Sequence, residues 1–194
     1  MKPPTLKLKA LVLFPLAASA LALTSCSSDD APADDPSINV LSCAPAAAPS
    51  GDPTWVAKGI QGQAAFTVTD EATNAAPKID ITIPFKVDKT EVKTLTEGTG
   101  AVVSDSSYVS VCYEGVNGTT GKVFDSAYQR GEPAQFSPAG VVPGFRDALV
   151  GQKVGSTVAV VIPSEDGYPT GTGDGTINAG DTIVFGLKIL EIQE

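Results

Sequence analysis

The sequence predicts an α+β fold that is mostly β: a sheet gathered around one short helix, with an added hairpin on its N-terminal side. Composition is the first reason, because 19 Gly and 15 Pro against 18% charged residues favour strands and turns over bundled helices. The second is a series of short runs with two-residue alternation, separated by turn residues. The third is that only one segment carries helix punctuation. It opens at Pro143, runs through Phe145, Arg146, Asp147, Ala148 and Leu149, and stops at Gly151.

The same composition excludes several kinds of chemistry. The chain has no His, which removes imidazole-based triads, histidine metal sites and histidine acid/base work. A formal net charge of −9, without a Lys/Arg block in the body of the chain, argues against nucleic acid as a partner. No cofactor or metal motif is present: the Gly-rich run GYPTGTGDGTINAGD lacks both the GxxxxGK phosphate cradle and the ligand spacing of a Ca²⁺ loop, so it reads as a flap.

Residues 1–25 carry Lys2, Lys7 and Lys9 ahead of an apolar run, Ala10 to Leu23, too short for a membrane span, and read as an export signal. The end of that run, Leu23-Thr24-Ser25-Cys26, resembles the lipobox of bacterial lipoproteins, which implies acylation of Cys26 and anchoring to a membrane. Loss of the signal would remove three of 13 basic residues and no acidic ones, leaving 10 against 22 and a net charge of −12. Residues 26–53, rich in Ala, Pro, Ser and Asp, are too poor in large apolar side chains to order themselves and read as a flexible tether. Cys43 in that tether and Cys112 beyond it could pair with each other, pair with other chains or remain free.

Residues 54–91 contain AAFTVTD and KIDITIPFKV, two half-buried strand patterns joined by a turn around ATNAAP. A lone hairpin is marginal, so this one is expected to lie on the main sheet as an edge or a cover. In SYVSVCYEG, Val109, Val111 and Tyr113 share one face, and Cys112 points to the other, away from any site that Tyr113 lines. VGSTVAVVIP and TIVFGLKIL read as long central strands, with Val158, Val160, Ile162, Ile183, Phe185, Leu187 and Ile189 on one face. Their other face carries Val161, Val184 and Leu190, too apolar for a solvated surface, and the hairpin is the expected cover.

Between Tyr113 and Phe145 the chain sets aromatic residues among Gly, Pro and one conspicuous carboxylate, Asp125. The rings are too scattered for a helical stripe and too interrupted for one strand, so short strands and turns must bring them round a shared apolar hollow.

The blocks TLTEGTG, VSVCYEG, GKVFDS, GVVPGFRDAL, GQKVGSTVAVVIP, GY and DTIVFGLKIL, in this order over residues 92–194, resemble FKBP-type peptidyl-prolyl isomerases. FSPAGVVPGF is similar to the compact loop of the macrophage infectivity potentiator group. The resemblance implies a twisted antiparallel sheet around one short helix and isomerisation of X-Pro bonds without a cofactor. It implies proline-containing polypeptides as substrates and macrolide-type inhibitors as further ligands. Carried over by block, it puts Tyr113, Phe124, Asp125, Phe136, Val141, Val142, Phe145, Tyr168, Ile177 and Phe185 at the pocket, with Asp125, Tyr168 and Tyr113 as the catalytic set. It also implies that the Tyr168 hydroxyl and the Val142 N–H hold the carbonyls flanking the proline. Phe145 stands where a tryptophan is usual, Ala134 where some members have an aromatic wall, and Asn178-Ala179-Gly180 where a Pro-rich stretch is usual, departures that bear on affinity and preference. Asp125, beside Tyr113 and Arg130, reads equally as a group that orients the twisting carbonyl or as a satisfied structural carboxylate. The alternative function is a low-turnover binding or chaperone module built on the same pocket.

Overall fold

Val158, Val160 and Ile162 alternate with Ala159 and Val161 along one strand, and both sets are fully buried. A strand apolar on both faces needs a layer on each side, and the fold supplies them. The computed structural model describes residues 42–44, 51–68 and 74–193. The signal and Cys26 lie outside the described residues. Among the described residues no helix is long and apolar enough to cross a membrane.

Two antiparallel sheets stack here. The first has three strands, β1 (Trp55–Lys58), β2 (Gln61–Thr67) and β3 (Lys78–Lys86), in the order β1-β2-β3. The second is built from β4 (Glu91–Thr96), β5 (Tyr108–Asn117), β6 (Val123–Ser126), β7 (Ala134–Phe136), β8 (Thr157–Ile162) and β9 (Ile183–Gln193), with α1 (Ala127–Arg130) and α2 (Pro143–Leu149) between strands. Its order is β4-β8-β9-β5-β6, with β7 also pairing β5, and every pairing is antiparallel. On the inner face, Val158, Val160, Ile162, Ile183, Phe185, Leu187 and Ile189 meet Phe145, Ala148 and Leu149 of α2. Gly144 lets α2 come this close, since a Cβ there would lie 2.5 Å from the Ile162 side chain.

On the outer face, Val116, Ala159, Val161 and Val184 form one core with Ala57, Ala64, Phe66 and Phe85 of the smaller sheet. Trp55 stacks on Phe66 at 5.2 Å between centroids and closes this layer. The expected cover is therefore present, but it is a three-stranded meander and not a hairpin: β1 adds a strand that pairs Trp55 with Phe66. Four residues were too few to stand out by alternation.

Two further expectations are corrected. Leu190 does not join the outer face; it packs with Ile189 and Ile192 in the inner core. The cause is a bulge in β9: Val111 pairs Ile189 whereas Ser110 pairs Glu191, so Leu190 is the extra residue and the alternation changes phase there. The tether expected over 26–53 is pinned inside its length. Cys43 forms a disulfide with Cys112, Ala44 bridges Ala75, and Asn74 Nδ2 donates to the Ser42 carbonyl. Cys43 is thereby buried, joining Cys112 in the larger core.

Candidate active site

A cup of about 390 Å³ opens between β5, β6, β7, the start of α2 and the loop after β8; it is lined by Tyr113, Phe124, Asp125, Phe136, Gly140, Val141, Val142, Phe145, Tyr168 and Phe185. Its floor is Tyr113 from β5, Phe145 from α2 and Phe185 from β9, each 4–5% exposed. Phe145 meets Phe185 edge-on at 4.9 Å, Phe136 at 5.4 Å and Tyr113 at 6.0 Å, while Phe124 stands edge-on to Phe185 at 5.5 Å. Edge-to-face contacts fix ring orientation as well as position.

Gly115 is what admits two of these rings. It pairs with both Asp125 and Phe185, and a Cβ on it would lie 2.6 Å from the rings of Phe124 and Phe185. A glycine inside a strand pattern is the sequence signal for such an approach. Val142 caps α2 with its carbonyl, accepting from Phe145 N and Arg146 N at 3.0 Å each, and this turn sets Val141 and Val142 at the rim.

Tyr113, Asp125 and Arg130 satisfy one another at the cup. The Tyr113 hydroxyl donates to Asp125 Oδ2, Arg130 Nη1 pairs with Asp125 Oδ1, and Arg130 Nη2 donates to the Tyr113 hydroxyl at 3.0 Å. The Arg130 guanidinium also lies over the Tyr113 ring, 5.6 Å from its centroid. Burial, helped by the neighbouring Asp125 carboxylate, pushes the Tyr113 phenol up to about 12. Burial raises the Asp125 carboxyl too, but the hydrogen bonds from Tyr113 and Arg130 outweigh it and hold the group below the usual range. Asp125 is thus ionised, and both of its oxygens are engaged.

Ile177 departs from expectation. It is 2% exposed and packs into the inner core, not onto the cup wall. Its backbone is turned by two bonds to Thr172, with Ile177 N donating to Thr172 Oγ1 at 3.0 Å and Thr172 N donating to the Ile177 carbonyl at 2.8 Å. Gly140 lines the cup in addition to the expected residues, for lack of any side chain to mark it.

The sequence model described as FKBP-type peptidyl-prolyl cis-trans isomerase matches residues 100–190. The chain is 39% identical over 104 residues to the FK506-binding protein of Streptomyces anulatus, covering 52% of this chain and 84% of that one. It is 31% identical over 115 residues to the probable FK506-binding protein of Corynebacterium glutamicum, covering 59% of this chain and 96% of that one. The chain belongs to the FKBP-type peptidyl-prolyl cis-trans isomerase family. It is also 38% identical over 104 residues to the FKBP-type 22 kDa peptidyl-prolyl cis-trans isomerase of Escherichia coli, where the match spans 53% of this chain and 49% of the relative. The matched segment of this FKBP-type chain contains the whole cup, whereas the smaller sheet lies outside it.

Proposed function

We propose that the chain is a peptidyl-prolyl cis-trans isomerase acting on X-Pro bonds of exported polypeptides, with acyl chains on Cys26 holding it at a membrane. The observation that carries this reading is an apolar cup of about 390 Å³ whose carboxylate, Asp125, is already engaged by Tyr113 and Arg130. Such a site has nothing to break bonds with. It is suited to a reaction in which none breaks.

Amide resonance sets a rotation barrier of about 18–20 kcal/mol, and the twisted transition state loses the charge separation of the planar form. A dry apolar wall disfavours the planar state relative to the twisted one. A thousandfold acceleration needs only about 4 kcal/mol of such discrimination. Phe145 and Phe185 form the seat of the proline ring, and Phe124, Phe136, Val141 and Val142 enclose it. The Tyr168 hydroxyl and the Val142 N–H hold the flanking carbonyls. Asp125, fully engaged by Tyr113 and Arg130, orients the Tyr113 hydroxyl at the rim and takes no proton from the substrate.

Export is supported by the signal and lipobox patterns and by the Cys43–Cys112 disulfide, a bond that persists in oxidising compartments. Proline-containing polypeptides are the substrates, and macrolide-type inhibitors fit the same cup.

A proline-limited peptide assay tests the reading on wild type, Tyr168→Phe and Asp125→Val. Wild type is expected to accelerate isomerisation well above background. Each variant should lose about tenfold in kcat/KM, the worth of one well-placed hydrogen bond near 1.4 kcal/mol. Equal background rates in all three would leave a binding module with the same pocket.

A further inference from the structure

Tyr168 sits on a loop, residues 167–182, that contains five glycines and follows a short turn after β8, running to the start of β9. A loop of that composition does not hold a side chain in place by itself. Its base, however, is tied at several points. Ser164 Oγ donates to the Tyr168 carbonyl at 3.1 Å and accepts from Gly180 N at 2.9 Å, joining the two stalks of the loop. Asp181 accepts from Asn117 Nδ2 and Asn178 N, both at 2.9 Å, and from Thr119 Oγ1 at 2.5 Å, which fastens the outgoing stalk to the β5–β6 turn.

The remaining ties come from outside the segment that the family model matches. Thr90 Oγ1 donates to Asp166 Oδ2 at 2.7 Å, two residues before Tyr168. Val87 N donates to Thr182 Oγ1 at 3.2 Å, at the outgoing stalk. Phe85 N donates to the Gly118 carbonyl at 2.9 Å, and Gly118 N donates in turn to the Thr182 carbonyl at 2.8 Å. Residues 85–90 are the end of β3 and its connection to β4, so one short stretch of the smaller sheet touches both stalks and the turn that secures Asp181.

We propose that the three-stranded sheet, besides covering the back of the main sheet, is a brace for the Tyr168 flap, with Thr90 and Thr182 as positioning residues for the cup. The idea rests on the proposed function for its catalytic consequence alone; the mechanical consequence stands without it. Phe66 and Phe85 anchor the brace in the outer core at 0% exposure. From that rigid base the Thr90 hydroxyl and the Val87 N–H reach the two stalks, the latter donating to the Thr182 hydroxyl, so the orientation of Tyr168 depends on a layer whose strands contribute no side chain to the cup.

The test compares Thr90→Val with Thr182→Val, singly and together, against the double Thr→Ser variant. Valine keeps the volume and removes the hydroxyl; serine keeps the hydroxyl. Amide hydrogen exchange in the free protein is read at Gly171, Thr172 and Ile177, with Val111 and Leu187 of the central strands as internal controls. Flap exchange in each single valine variant is expected to rise about fivefold, the worth of one net hydrogen bond, and further in the double variant, with the controls unmoved and the serine variant like wild type. In the peptide assay the double valine variant should show a raised KM with kcat nearly kept, and serine should restore it. Flap exchange unchanged in folded valine variants, or altered equally by serine and valine, overturns the proposal. If Thr182→Val fails to fold, Thr90→Val, at a half-buried position, decides alone by the same readout. A wild type without turnover would defeat the isomerase reading and leave the exchange comparison intact.

Discussion

The floor of the cup and its flap are held in place by different physics. Tyr113, Phe145 and Phe185 are placed by exclusion of water and ring-to-ring contact, on two strands and a helix that themselves lie in the inner core. Tyr168 is placed by directional bonds at the base of a glycine-rich loop, from Ser164 to its own carbonyl, from Asn117 to Asp181 and from Val87 to Thr182. Apolar packing is paid for in volume, so damage to the floor should cost stability and activity together. Directional bonds are lost one hydroxyl at a time, so damage to the flap should cost substrate handling while the fold survives.

The largest expected effect breaks the floor. Phe145→Ala removes a ring that contacts three other aromatics, and a buried Phe→Ala change costs about 3–5 kcal/mol. Urea unfolding should show that loss at unchanged slope, and the peptide assay should show activity falling with it. A variant of wild-type stability that had merely lost turnover would mean that the floor is not part of the core.

Gly115→Ala should act less strongly, and through crowding. The added Cβ, 2.6 Å from Phe124 and Phe185, must push one ring off its rotamer, for about 1–3 kcal/mol. Because both rings line the cup, the rotamer change should lower kcat/KM by more than the stability loss alone explains. Near-UV circular dichroism would register the ring movement. An unchanged aromatic spectrum with full activity would show that β5 yields and the rings do not.

The floor was largely legible in the sequence and the ties that hold the flap were not, for the same physical reason. Aromatic spacing between Tyr113 and Phe145, and strand alternation around Phe185, announce apolar faces that meet in a hollow, and the order of the blocks, through the family resemblance, points to Phe124, Phe136, Val141 and Val142 as well, all of which line the cup with the three floor rings. A hydrogen bond between residues 76 positions apart, such as Thr90 to Asp166, leaves no period and no composition shift. The family resemblance placed Ile177 on the wall, but the Thr172 bonds turn it into the core. Leu190 was misassigned by strict alternation because the β9 bulge shifts the phase. Cys43 looked like part of a tether because its neighbours are small and polar; its partner lies 69 residues away on β5, and no local pattern reports that.

Acid should separate the two regions most gently of all. Asp174, at the flap tip, is lowered to about 2 by hydrogen bonds from the Thr172 hydroxyl and the Thr176 N–H. Burial pushes the Asp181 carboxyl up, but bonds from Thr119, Asn178 N and Asn117 prevail and leave it below the usual range. Carboxylates lowered in the folded state contribute stability that is complete above the unfolded value, about 3.9, and is lost as pH falls through the folded one. The floor rings carry no carboxylate of their own; the lowered carboxylate beside them is Asp125, bonded to the Tyr113 hydroxyl at the rim. The ionisable ring of the floor, Tyr113, is raised to about 12, so its contribution is complete below pH of about 10 and is lost only as pH climbs toward that value. Turnover should therefore be flat across neutral pH. On acidification below pH of about 4, amide resonances of Ile177 and Asn178 should shift while those of Val111 and Leu187 stay put. Flap and floor resonances moving together would mean that the loop is not held by its carboxylates, and that the polar bonds at its base are bystanders to apolar packing.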